Sequence, residues 1–532
     1  MTDKTPSTAP VQASSFGSEA ALKRLKRRHA AERRFKLYGQ IAIAIALSAL
    51  LVLAWSIVSR AVPAFVKHEV AFSAVLDRDV ITPAGRDGAE DIASNVSGFY
   101  SLVQKDLRQT FPEVEGDRLR TRALYSLVTR LGVLNTAKEV SRNPDLVGQV
   151  KAFTAPLSDD LDLYLKGGVT GRKSMDLSGT FAVTPVEEGQ FELTGTDNQT
   201  LSSLLETAIG MGEAPSVLIK IDNTWFDTVE QTQSSLRLSH LAGPKAAPGV
   251  SINPASVSAL ILTAPETNRA VSNEQIAWTL LLEDKGRISR KFNADLFLHA
   301  DSTYPELAGA AAAIVGSILT MLITASLAIP VGIFAAVYLE EFAPKNRLTD
   351  IVEVNINNLA AVPSIIFGLL GASVFLSFFG MPRSVPFVGG LVLSLLVLPT
   401  VIIASRAALK SVPPSIRTAA LGLGASKTQA VFHHALPLAA PGILTGSIIA
   451  MARALGETAP LLLIGMVAFV NEVPTGPDQE STVLPVLIYK WFSGAERAWE
   501  PMTSAVIVML LVFLILMNLG AVLLRRKFER RW

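Results

Sequence analysis

The chain has 532 residues, a formal net charge of +2, no cysteine and an apolar share of 49%. That length exceeds one ordinary domain. The lack of cysteine excludes disulfides, thiolate metal sites and thiol catalysis, and six histidines without an HExxH-like spacing give zinc no support.

Residues 1–37 open with Ser, Thr, Ala and Pro and then turn basic, with Lys23, Arg24, Lys26, Arg27, Arg28, Arg33, Arg34 and Lys36 ahead of an apolar run. The run Ile41–Val58 holds no charge, which predicts a membrane helix over 38–60. A cleaved signal peptide is the competing reading. Its basic region would be unusually long and late, and no small-residue cleavage site follows the run, so an uncleaved anchor is expected. The basic block is expected to stay in the cytoplasm, against anionic headgroups.

Residues 61–305 are too polar to span a bilayer and long enough for a core of their own. Leu102, Leu107, Leu119, Leu124, Leu127, Val128, Leu131 and Leu134 recur at helical spacings. Alternation at Phe181-Ala-Val-Thr-Pro-Val and Phe191-Glu-Leu-Thr predicts strands, with further strands at Ser216–Ile221, Leu236–Leu238 and Ile276–Leu282. An α+β domain is predicted. It contains no phosphate loop, no nucleophile elbow and no carboxylate pair with a clear partner.

From 306 to 532 the composition is that of a membrane domain. Ala308–Leu339, Leu359–Phe379, Val385–Ala404 and Ala505–Leu524 hold no charge, and Leu438–Val470 holds only Arg453 and Glu457. At about 20 apolar residues per crossing these are five spans, six with the anchor. The predicted fold is therefore a six-helix, all-α membrane protein with an α+β domain inserted between helices 1 and 2. The 405–437 loop carries Arg406, Lys410, Arg417 and Lys427, and the tail carries Arg525, Arg526, Lys527, Arg530 and Arg531. The opposite loops are poor in such residues. The positive-inside rule places both termini and the 405–437 loop in the cytoplasm and the inserted domain outside it.

Within that loop, Pro413 and Pro414 can open a helix, Gly422 and Gly424 permit a sharp turn, and Pro437 is expected to end a second short helix. A rigid elbow of this kind suits docking on a soluble partner. Gly422-Leu-Gly-Ala-Ser426-Lys427-Thr is not a phosphate loop, because the lysine follows Ser where glycine is required and no strand precedes it. The segment 412–442 resembles the EAA loop of ABC-importer permeases. Arg417 lies inside it, Ala419, Ala420, Gly424, Leu436 and Pro437 match at the family spacing, and Thr418 and His434 stand where the family has Glu and Ile. The resemblance implies docking on a separate ATPase subunit, which would bind the ATP and Mg; the chain itself is expected to be neither an enzyme nor a cofactor or metal binder.

Arg453 and Glu457 share one helix face at a spacing of i, i+4. A charge inside a bilayer is costly, about 2.5–3.5 kcal/mol on insertion scales, so that face is expected to point into the bundle or a wet cavity. Pro460 lacks the N–H that would bond the Gly456 carbonyl, so the helix is expected to kink or break there. Arg453 could hold two phosphate oxygens at once, with Glu457 and Thr458 beside it. The bland reading, an Arg–Glu pair that only locks helices, stays open. The string Ala452-Arg-Ala-Leu-Gly-Glu-Thr-Ala-Pro-Leu461 resembles the PstA-type permeases of phosphate importers. That resemblance implies a homologous second permease, an ATPase dimer, a periplasmic phosphate-binding protein and an inner-membrane location, with lipid and inorganic phosphate as contacts and no nucleic acid. A permease for molybdate or sulfate and a non-transport envelope receptor are the alternatives.

Overall fold

A computed structural model describes residues 19–528 apart from 84–87, 188, 196–197, 212–214, 233–234 and 245–255. The first 18 residues and Arg530 and Arg531 of the basic tail lie outside the described residues. The chain divides at Ser59/Arg60 into two units. The first is carried by helix α1 (Glu19–Ala61), whose 43 residues contain both the basic block and the apolar run. Its apolar side chains are open along their length, with Leu51 at 69% and Trp55 at 75% exposure, as suits a helix surrounded by hydrocarbon.

In the second unit, strands β1 (Val66–Val75), β2 (Val150–Pro156), β3 (Arg172–Asp176), β4 (Phe181–Glu187), β5 (Gln190–Gly195), β6 (Ser216–Ile221), β7 (Thr224–Gln231), β8 (Ser235–Ala242), β9 (Val257–Leu262) and β10 (Ile288–Phe292) form two antiparallel sheets, ordered β10-β1-β2 and β3-β9-β6-β7-β8-β5-β4. Helices α2 (Val96–Thr110), α3 (Arg118–Tyr125), α4 (Leu134–Arg142) and α5 (Asp159–Leu165) pack around the smaller sheet, and α6 (Asn198–Met211) covers the larger one. Both faces of the larger sheet are buried. Val217, Ile219, Ala259 and Ile261 face the α6 side, while Leu218, Leu260 and Leu262 join the core around Phe99 and Leu107. Two buried faces explain why β6 and β9 read as almost continuous apolar runs.

The strand expected at Ile276–Leu282 is instead helix α7 (Asn273–Asp284). Ser272 and Gln275 form a reciprocal capping box at its start, which fixes a helical entry. Ile276, Ala277, Trp278, Leu281 and Leu282 are all buried, so the segment is apolar on every side and lacks the polar stripe that marks a helix in sequence. Among the helical leucines, Leu119 is open at 81% exposure.

Short helix α8 (Asp295–Leu298) leads to the membrane part: α9 (Ala311–Val337), α10 (Arg347–Ala360), α11 (Ser364–Gly371), α12 (Pro386–Lys410), α13 (Pro414–Gly422), α14 (Leu436–Gly456), α15 (Ala459–Leu463), α16 (Leu484–Phe492) and α17 (Trp499–Phe528). Among the described residues five helices are long and apolar enough to cross a membrane, or six if one bent pair counts as a crossing. That pair replaces the single helix expected over 359–379. It joins 347–360 to 364–378 at 99°. Pro363 explains the bend: it has no N–H to continue α10, and as N-cap of α11 it sits at φ −56°, ψ 138°, outside helical geometry. The run Leu438–Val470 is not one helix either. It leaves helical geometry at Gly456.

Glu306 sits in the link between β10 and α9, where the α+β part meets the membrane part. The Thr129 hydroxyl donates to its Oε1, while Oε2 is buried without a partner among the described residues. Burial, with the charges of Asp159 and Asp162 adding, pushes the Glu306 carboxyl up to about 7, and burial together with Asp160 pushes Asp159 up to about 6. Both folded values lie above the ordinary carboxylate range, so the folded chain holds protons that the unfolded chain releases. This contribution to stability is complete below about pH 4.5 and is lost as pH rises through about 7. Glu306→Gln is expected to raise Tm at pH 8 relative to the native chain, by about 2–4 °C for each kcal/mol recovered, with the gap closing toward pH 5. Thermal unfolding across that range checks it, and parallel pH profiles would contradict it.

Candidate functional site

Helix α14 ends where Glu457 turns to φ −79°, ψ 120°, and Pro460 lies in the first turn of α15 rather than inside a kink. The expected break at Gly456–Pro460 is therefore present, with proline opening the new helix. The Glu457 N–H donates to the Ala454 carbonyl at 3.2 Å, and the Thr458 carbonyl accepts from Leu461 and Leu462 at 3.1 and 3.0 Å. Arg453 Nε lies 3.6 Å from Glu457 Oε1, with the two side chains 52% and 21% exposed. The pair thus shares one face, as its spacing requires, but that face is open in the single chain. Pro460 seats against α11. A Cβ built on Gly368 would lie 2.7 Å from Pro460 Cα and 2.9 Å from Leu463 Cδ1, so glycine is what allows the two interrupted segments to touch.

The elbow lies at the other end of α14. Gly424 turns the chain at φ +90°, a conformation that glycine adopts without strain. The turn leaves Leu423 91% exposed and Leu421 open beside it. Thr418 and Ala419 are also exposed, whereas Ala420 is buried. The Thr418 hydroxyl donates back to Ser415 O at 3.0 Å. Pro437 does not end a helix, contrary to the sequence expectation. The chain stays helical from Lys427 to Gly456, because a π-helical turn at Ala430–Ala435 precedes the proline and its wider register absorbs the missing N–H and the ring. Leu436 and Pro437 are half-buried. His434 and Pro437 line a groove of about 590 Å³ with Val412, Pro413, Ile416 and His433.

Arg417 points inward. Its Nε donates to Glu341 Oε1 at 2.9 Å and its terminal nitrogens to Glu341 Oε1 at 2.5 Å, Val412 O at 2.8 Å and Leu409 O at 2.9 Å. Glu341 and its neighbour Glu340 sit on a π-helical turn that closes α9 at Tyr338–Phe342. Glu340 Oε2 lies 3.5 Å from Arg406 Nε and 3.6 Å from Lys410 Nζ, and Arg406 also reaches Glu353 of α10 at 2.5 Å. This network ties α9, α10, α12 and the elbow together. Lys427 stands over the Phe342 ring at 5.3 Å and adds a second tie.

The structure therefore brings Arg453, Gly456, Glu457, Thr458 and Pro460 together, and it groups Arg417 to Pro437 at a separate place. The two groups lie about 25 Å apart along α14 at 1.5 Å per residue. Sequence reasoning missed Glu340, Glu341, Glu353 and Gly368. The signal available for the first two was an acidic pair set immediately after the uncharged run that ends at Leu339.

Residues 328–531 match the family model described as binding-protein-dependent transport system inner membrane component. Residues 22–174 match a domain of unknown function, DUF3333. The chain is 33% identical over 220 residues to phosphate transport system permease protein PstA 1 of Mycobacterium tuberculosis (strain CDC 1551 / Oshkosh), a match covering 41% of this chain and 71% of that protein. It is 33% identical over 236 residues to phosphate transport system permease protein PstA of Xylella fastidiosa (strain Temecula1 / ATCC 700964), covering 44% and 81%. The chain belongs to the PstA family of permease proteins. An inward-facing structure of the MetNI methionine ABC transporter aligns over 40% of this chain and 95% of its own at 19% identity and a TM-score of 0.35.

As a PstA-family protein the chain is a permease subunit of an ABC importer and a multi-pass inner-membrane protein. The matched span 328–531 includes both the elbow and the broken turn. Removing one partner of a well-made, largely buried ion pair costs about 3–5 kcal/mol, and Glu341 is only 8% exposed. Arg417→Ala and Glu341→Ala are each expected to lower the unfolding midpoint of the detergent-purified protein, and the double variant to lose little more than either alone. Additive losses in that cycle would show that the two side chains act independently.

Proposed function

We propose that this PstA-family chain forms part of the translocation path for inorganic phosphate, with Arg453, Glu457 and Thr458 contributing to the path. The observation that carries the reading is the contrast between Arg453, set at the helix break inside an apolar run, and the two arginines at the elbow end of the bundle. Arg406 and Arg417 have their guanidinium groups engaged by Glu340, Glu353, Glu341 and backbone carbonyls. Arg453 is half open, and among the described residues its ion pair is the 3.6 Å contact with Glu457. A permanently charged, planar donor set left open beside a helix break suits an oxyanion, whose oxygens it can grip in pairs, and breaks of this kind are where transporters place such sites. Glu457 steers the guanidinium and can accept a hydrogen bond from a proton-bearing phosphate oxygen, which fully ionised sulfate does not offer. The relatives named for phosphate transport support the same substrate.

In this reading both termini and the 412–442 loop face the cytoplasm, and the 61–305 domain lies in the periplasm. The exposed ridge from Thr418 through Leu423, turned by Gly424, docks in a groove of a separate ATPase, which occurs as a pair and binds ATP and Mg. Arg417 acts from within by holding the ridge on α9. A homologous second permease completes the path, and a periplasmic phosphate-binding protein delivers the substrate.

Arg453→Gln keeps the length of the side chain and removes its charge. Phosphate uptake by the assembled transporter in vesicles is expected to fall roughly 10- to 100-fold, the equivalent of losing a charge-assisted contact of about 1.5–3 kcal/mol. Co-purification of the partner subunits is expected to stay unchanged. Native uptake by the variant would remove Arg453 from the path.

A further inference from the structure

The Ala64–Phe65 segment and the entry of α9 meet the α+β part at one place. Asn293 donates from its backbone N–H to Phe65 O at 2.9 Å and from its side chain to Ala64 O at 3.0 Å, just after α1 ends at Ala61. On the other side, Ala310 N–H reaches Leu296 O at 2.8 Å and Ala311 N–H reaches His299 O at 3.0 Å, at the first residue of α9. A Cβ on Gly309 would sit 2.2 Å from His299 O, so this docking is close. Helix α8 is thus pinned between the Ala64–Phe65 segment and the entry of α9, a helix long enough to cross a bilayer.

That same short segment exposes large apolar groups. Phe65 stacks on Phe297 at 6.1 Å, and Phe297 stacks on Phe292 at 6.0 Å and 12° between planes. Phe292 and Leu298 are 63% and 69% exposed, and Val62 beside them is open too. The neighbouring Leu296 and Asn293 are buried, so the outward set is one defined face of a well-anchored segment. Arg290, on the same face of β10 as Phe292, is exposed as well, whereas Lys291 on the other face is held by Glu69 at 2.7 Å. Aromatic and aliphatic side chains beside an exposed arginine, fixed close to the entry of α9, have the composition of an interfacial anchor, and an open apolar patch of this kind marks a contact surface.

We infer that Phe292, Phe297 and Leu298 insert into the bilayer surface from which the α+β domain projects, with Arg290 at the headgroups, so that the domain is held to the lipid as well as by its chain connections. The inference requires α9 to be a crossing and is independent of the transported ion.

The chain has no cysteine, so single cysteines can be introduced at 292, 297 and 298 in the full-length protein, assembled with its partner subunits in nanodiscs of phosphatidylethanolamine and phosphatidylglycerol. A nitroxide attached at each site is then read for collision with oxygen, which concentrates in lipid, and with a nickel chelate, which stays in water. Ile209→Cys on α6 and Val229→Cys on β7, both exposed in the α+β part, serve as controls. Labels at 292, 297 and 298 are expected to favour oxygen over nickel by several-fold relative to both controls. Nickel access equal to the controls would place the patch in water, and protection from both reagents would place it against protein; either result overturns the inference. Leu298→Cys takes no part in the ring stack, so its label reads the surface even if changes at Phe292 or Phe297 disturb the fold. Loss of the patch's lipid contact with phosphate uptake unchanged would leave the transport reading intact.

Discussion

Glu341 and Arg417 form the interaction on which one end of the membrane part depends. The carboxylate closes α9, the guanidinium belongs to the elbow, and the same guanidinium donates to the carbonyls of Leu409 in the last turn of α12 and Val412 just beyond it. One arginine thus holds the end of α12, the start of the elbow and a neighbouring helix together. The adjacent Glu340–Arg406–Glu353 chain extends the tie to α10. The elbow is consequently a fixed projection of α9 and α12, and a displacement of its exposed ridge must be passed to those helices.

The opposite end of α14 follows a different rule. There a glycine in α11 permits Pro460 to pack against a second interrupted segment, and the interruption leaves Arg453 and Glu457 in loose contact. Paired charges tie the elbow end together, and in the proposed reading the loosely held Arg453 is the charge that meets the ion. The 30 residues of continuous helix from Lys427 to Gly456 link the two ends, which gives the proposed coupling a rigid element to act through.

Apolar run length was enough to find the long apolar helices among the described residues, and proline and glycine positions found the elbow and the break at Gly456, because each depends on local sequence. The fate of Arg417 was not legible. Nothing in the elbow's own sequence shows that its partner, Glu341, is 76 residues earlier. The helix at Ile276 was misread because full burial erases periodicity, and the bend at Pro363 was hidden inside an apolar run whose composition is that of one helix. Pro437 illustrates the limit of a local rule: the π-helical turn that accommodates it has no sequence signature. The α+β domain was readable as a class, yet its seven-stranded order and the buried Glu306 at its junction arise from pairings between distant segments.

In the proposed function the loosely held arginine at the broken turn serves phosphate. Uptake of radiolabelled phosphate by the complete transporter in proteoliposomes, in the presence of excess sulfate or molybdate, is the measurement that decides this. Saturable, ATP-dependent phosphate uptake that neither competitor reduces appreciably is expected. Strong inhibition by either oxyanion, or its transport in place of phosphate, would overturn the assignment.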